Sequence, residues 1–101
     1  MNGEILTPKD PAEVIMVGLD FSALLGAESM ATITWTCAVR VGTDAAAAAM
    51  LQGTPANGDA PVFKHMVRNG VDGCLYELRV IITTSGGRTL VGTVDLPVRT
   101  A

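Results

Sequence analysis

The chain has 101 residues, enough for one domain with a modest core and too few for two. Its formal net charge is −3, only 17% of its residues are charged, and its lysines and arginines stand singly, which excludes the basic footprint of a nucleic-acid binder. No apolar run approaches the ~18 residues of a membrane span, and the leading Met1-Asn2-Gly3-Glu4-Ile5-Leu6 is acidic and lacks a signal core, so cytoplasmic synthesis without an export signal is expected.

Residues 1–12 carry Gly3, Pro8 and Pro11 without periodicity and read as an extended arm ahead of a domain at 13–101. Each proline fixes its own φ and pushes its predecessor away from helix. Such an arm either docks on a neighbouring subunit or frays as an ordinary terminus. Residues 13–19 (EVIMVGL) predict a first strand, apolar on both faces. Phe21-Ser22-Ala23-Leu24-Leu25 follows as a bend or short helical turn that Gly26 ends. Residues 30–41 give the clearest strand: Ala31, Ile33, Trp35, Cys37, Val39 and Val41 on one side, Thr32, Thr34, Thr36 and Arg40 on the other. Trp35, the only tryptophan, is expected to anchor the core with its indole N–H on a carbonyl or water.

The middle is ambiguous. Asp44 ahead of Ala45-Ala46-Ala47-Ala48-Ala49 has the form of a capped helix, yet the same run extends as a strand if packing demands it. Residues 52–61 (QGTPANGDAP) read as a loop. Residues 62–67 predict a strand with Val62, Lys64 and Met66 opposite Phe63, His65 and Val67. Asn69-Gly70 and Asp72-Gly73 then bracket a tight connection.

The last third reads as one long hairpin. Cys74, Tyr76, Leu78, Val80 and Ile82 alternate with Glu77, Arg79 and Thr83; Leu90, Val94, Leu96 and Val98 oppose Thr89, Thr93 and Asp95. A two-residue turn would set Leu78 against Asp95. A three-residue loop, Ser85-Gly86-Gly87 with Gly87 left-handed, pairs Leu78 with Val94 and Val80 with Gly92. Strands with turns every eight to twelve residues and no long helix predict an all-β antiparallel sandwich.

Little in the chain supports chemistry. His65, the single histidine, lacks a paired carboxylate or serine elbow and reads as structural or exposed. The carboxylates are scattered through loops and strand edges, where solvation explains them, and no calcium loop appears. Ser85-Gly86-Gly87-Arg88 joins two strands, whereas a phosphate cradle opens a helix. No catalytic residue, metal site or cofactor is expected. Cys37 and Cys74 lie on inward faces, either as buried thiols or as a bridge between sheets. Tyr76 is placed either to bond upstream backbone or simply to fill the core.

Four segments, in order, resemble a known family: Lys9-Asp10-Pro11-x-Glu13-Val14, then Asp20-Phe21-Ser22-x-Leu24-Leu25-Gly26, then Ala31-Thr32-Ile33-Thr34-Trp35, and Thr83-Thr84-Ser85-Gly86-Gly87-Arg88-Thr89. The pattern is similar to small structural proteins of tailed bacteriophages, of the fibre–tail adaptor or neck accessory type. The resemblance implies an immunoglobulin-like sandwich and a non-enzymatic virion component. Such a component bridges tail or neck to fibres or an adjoining ring, probes no nucleic acid or membrane, and is homo-oligomeric in the particle. Lys9, Asp10, Pro11, Ser85, Gly86, Gly87 and Arg88 are the expected partner contacts; Trp35, Cys37, Tyr76, Leu78 and Val80 hold the core. A capsid decoration protein and an adhesion-type immunoglobulin-like module are the competing readings.

Overall fold

A computed structural model of the chain describes residues 4–100. Its strands are β1 (Glu4–Ile5), β2 (Ile15–Asp20), β3 (Met30–Val41), β4 (Leu51–Ala56), β5 (Val62–Val67), β6 (Leu75–Thr84) and β7 (Thr89–Pro97), with a one-turn helix α1 (Ser22–Leu25) and a 3-10 turn at Ala47–Met50. They form two sheets in the orders β1-β7-β6-β3 and β2-β5-β4, packed as an all-β sandwich. Every neighbouring pair is antiparallel except β1 with β7.

Alternation builds the core from both sheets. Tyr76, Leu78, Val80 and Ile82 of β6 and Val94 and Leu96 of β7 meet Val17, Leu19, Phe63 and Val67 of the smaller sheet. Burying each large apolar side chain contributes about 1.5–3 kcal/mol. Phe21 and Phe63 pack with ring centroids 5.8 Å apart, and Trp35 meets the buried His65 ring edge-on at 5.4 Å. The hairpin register is the one a three-residue loop demands. Leu78 faces Val94, Val80 faces Gly92, and Gly87 has φ +85°.

Several expectations fail for identifiable reasons. Ala31 and Val41 are exposed, because irregularities after Met30 and after Val39 interrupt the alternation of β3 at both ends. Residues 52–61 are not all loop: β4 runs through Pro55. It is an edge strand whose register breaks between Gln52 and Ala56, where a proline and the left-handed Gly53 are tolerated. The alanine run gives one 3-10 turn, with Asp44 accepting the Ala46 N–H at 2.9 Å. The Trp35 indole N–H has no hydrogen-bond partner among the described residues.

Cys37 and Cys74 are free and belong to the same sheet region, beside β6 and just before it, so no bridge between sheets can form. Burial pushes the Cys37 thiol up to about 11, with Asp44 adding to the rise, which leaves it unreactive. Residues 1–3 of the expected arm lie outside the described residues. Its remainder does not project: Leu6 N–H bonds Asp95 O at 2.8 Å and Lys9 N–H bonds Pro97 O at 2.9 Å, so the arm runs along β7 of its own domain.

The molecule measures 42 × 22 × 22 Å, with the long axis set by β6 and β7. One end, here the base, gathers the arm's Lys9-Asp10-Pro11, the β3–β4 connection and the β5–β6 connection. The other, the tip, gathers α1, the Ala60-Pro61 turn and the β6–β7 loop.

Candidate functional site

The expected contact residues fall into two sets at opposite ends. Lys9 bridges in parallel to Val98 after β7, whereas residues 85–88 precede it. The nine residues of β7 between them span about 30 Å.

At the base, Lys9 is 1% exposed. Its ammonium donates to Asn69 O at 2.7 Å and Asp10 O at 2.8 Å. Burial lowers its pKa, and the nearby Glu13 and Asp10 charges oppose that shift. The side chain is therefore an internal anchor and not an available contact, a correction to its place among the surface candidates. Asp10 and Pro11 remain at the surface in a turn, in which Asp10 accepts the Ala12 N–H at 2.8 Å and donates its own N–H to Glu13 at 2.7 Å. Beside them Tyr76 ties two connections together. Its phenol oxygen accepts the Val71 N–H at 2.7 Å and its hydroxyl donates to Asp44 Oδ2 at 2.8 Å. Burial, ahead of all other causes, raises its pKa. This is the backbone-pinning role a tyrosine at the start of a strand was open to.

At the tip, the loop is held by a residue that sequence reading passed over as solvated. Glu28, between α1 and β3, accepts the Thr84 hydroxyl at 2.6 Å and the Gly86 N–H at 3.1 Å through one oxygen, and Arg88 Nε at 2.7 Å through the other. Arg88 also donates to Leu24 O at 2.8 Å, and Ser85 N–H reaches Ser29 O at 2.8 Å. The Thr84 bond leads the causes that lower the Glu28 pKa; Arg88 and the Gly86 N–H add to it against partial desolvation. Ser85, Gly86, Gly87 and Arg88 are all exposed, so the cage fixes the loop's shape while leaving its outer surface free. A shallow pocket of about 210 Å³ opens beside it, lined by Leu25, Met30 and Pro61 among others. Nothing local in Gly26-Ala27-Glu28-Ser29 marks Glu28; its partners lie 56 or more residues away.

A third polar cluster lies on the outer sheet face. Glu77 and Asp95 are directly opposed across β6 and β7, an arrangement that repels. Arg40 reaches across from β3, with Nη1 3.0 Å from Asp95 and 4.0 Å from Glu77. Asp95, expected at a wet face, is 6% exposed as a result of this packing. His65 is buried, with Nδ1 2.9 Å from the Met66 carbonyl. Trp35, Cys37, Tyr76, Leu78 and Val80 are all buried. Among the described residues no three His, Cys, Asp or Glu side chains come together as metal ligands.

The comparisons with known proteins agree with the motif resemblance. No curated protein and no solved structure matches the chain. One family does, described as podophage GP4 fiber-tail adaptor protein gp77, over residues 9–97. That span takes in the base turn, both sheets and the tip loop, and the chain therefore belongs to this fibre–tail adaptor family of phage structural proteins.

Proposed function

We propose that this protein is a non-enzymatic bridge in the virion, joining tail or neck to a fibre or an adjoining ring through contacts at its two ends. The observation that carries the reading is the separation of the candidate contacts. The Asp10-Pro11 turn and the residue 85–88 loop sit at opposite poles of a 42 Å body. A rod gripped at both poles transmits position and orientation between two partners, and rigidity suits that task. Each pole is locked by bonds between distant segments, at the base through Tyr76 and Lys9 and at the tip through Glu28. The pairing orders, a tryptophan on β3 and a backbone-bound tyrosine at the start of β6 support an immunoglobulin-like description of the sandwich. Recognition then rests on shape and on backbone and apolar contacts, as expected of an assembly part.

The test uses one surface change at each pole in the intact phage: Pro11→Lys at a half-buried position of the base and Ser85→Lys at an exposed position of the tip. The expected result is asymmetric. One variant is missing from particles, and the other is incorporated but leaves particles without fibres or without the adjoining ring. Normal incorporation and normal fibre occupancy for both variants would remove the two-pole reading.

A further inference from the structure

The two sheets leave four edges, and they are unequal. β1 presents two residues. β4 is broken by its register shift, by Gly53 and by Pro55. β2 has six residues, carries Gly18 and ends at Asp20. β3 differs from all three. Between its two irregularities, residues 32–39 keep unbroken register with β6, and none of these eight is proline, glycine or charged. Half of their backbone N–H and C=O groups point away from β6. Among the described residues no backbone bond outside the β3–β6 ladder involves them. Natural sheets blunt such edges with charge, proline, bulges, short length or a covering loop. The first four do not interrupt the run, and the Ala47–Met50 turn packs beside β3 through core side chains, with Met50 Sδ 3.9 Å from Cys37 Sγ.

We propose that two copies of the chain join through β3, antiparallel about a two-fold axis, so that the two four-stranded sheets continue as one. The second copy is the occupant that the strand's own pattern fits. Pairing must keep parity, because a one-residue slip would set the inward Trp35 and Cys37 row of one copy against the outward threonine row of the other. With parity kept and the axis at Trp35, Thr34 lies opposite Thr36 of the second copy and Thr32 opposite its Ala38. Thr32, Thr34, Thr36 and Ala38 are all exposed, and threonine pairs across strands are favourable. No like charges meet along the run, although each copy is net negative. The nearest charges, Arg40 and Glu28, are already paired within each copy, with Asp95 and with Arg88, and so neither assist nor oppose the pairing. This edge is separate from the two poles, so the dimer is compatible with the bridging reading and does not depend on it.

The experiment is sedimentation velocity on the purified full chain across a broad concentration range, with amide exchange as a second readout. Wild type is expected to reach dimer mass, with exchange at residues 32–39 slowing as concentration rises. The Thr34→Lys/Thr36→Lys double variant places lysines opposite each other across the axis. Its dissociation constant is expected to rise about tenfold or more, with an unchanged circular dichroism spectrum. Met16→Lys, on the exposed part of the β2 edge, is expected to dimerise as wild type does. A wild type that stays monomeric throughout, including one that takes up only an extended peptide from another virion protein, would overturn the proposal. So would dimers that survive both lysines, or concentration-dependent protection confined to β2. If the double variant does not fold, the wild-type mass and exchange pattern decide alone.

Discussion

The base and the tip close the same sandwich by different physics. At the base, connections are tied by side chains withdrawn from water: Tyr76 is 0% and Lys9 1% exposed, and their part-buried bonds are costly to leave unmade. At the tip, Glu28 and Arg88 keep 28% and 48% of their side-chain surface, and the cage is made of charge-assisted bonds at the water boundary. The base is therefore costly to alter, whereas the tip is adjustable and sensitive to acid.

Matched glycine substitutions break this comparison most sharply. Gly42 at the base and Gly87 at the tip both have positive φ, +102° and +85°. A Cβ at Gly42 would press on the Cys74 sulfur, whereas one at Gly87 meets nothing within 4 Å. Gly42→Ala is expected to cost about 3 kcal/mol, from left-handed strain plus overpacking. Tyr76→Phe comes next, at about 2 kcal/mol, because it leaves the Val71 N–H and the Asp44 carboxylate without the phenol. Gly87→Ala should cost only about 1 kcal/mol, the strain alone. Urea unfolding of the three variants measures the order. Equal losses at Gly42 and Gly87 would erase the distinction between the poles.

The smallest effect is in pH. The folded-state pKa of Glu28 lies below its ordinary value of 4.5. Its contribution is thus fully present above that ordinary value and is lost as pH falls through the lower, folded one. The Gly86 amide and Arg88 Nε resonances are expected to shift together as pH falls through that lower value, since both bond the same carboxylate. Glu28→Gln should abolish that shift. A Gly86 amide that does not respond to acid in wild type would show that the cage is not closed by a carboxylate.

What was legible in the sequence was whatever repeats locally. The β6–β7 register followed from Leu78, Val94 and the need for glycine at position 87, because a wrong loop length would turn one strand's apolar face outward. The alternation of Phe63, His65 and Val67 against Val62, Lys64 and Met66 followed from the same period, whereas which row is buried came only from the packed sheets. Closure was not legible. Glu28, Asn69 and Asp44 act through partners brought close only by the finished sandwich, and isolated carboxylates carry no periodic mark. β4 hid behind Gly53 and Pro55, which signal loop unless the strand is known to lie at an edge. Lys9 read as a surface charge because burial of a lysine depends on carbonyls supplied by Asn69, sixty residues away.

A reconstruction of the intact virion tests the central claim most directly. The account predicts that the Asp10-Pro11 turn and the residue 85–88 loop each touch a protein of the particle, and that the two proteins differ. Either pole found facing open solvent, with all contacts made along the flanks of the sandwich, would contradict it.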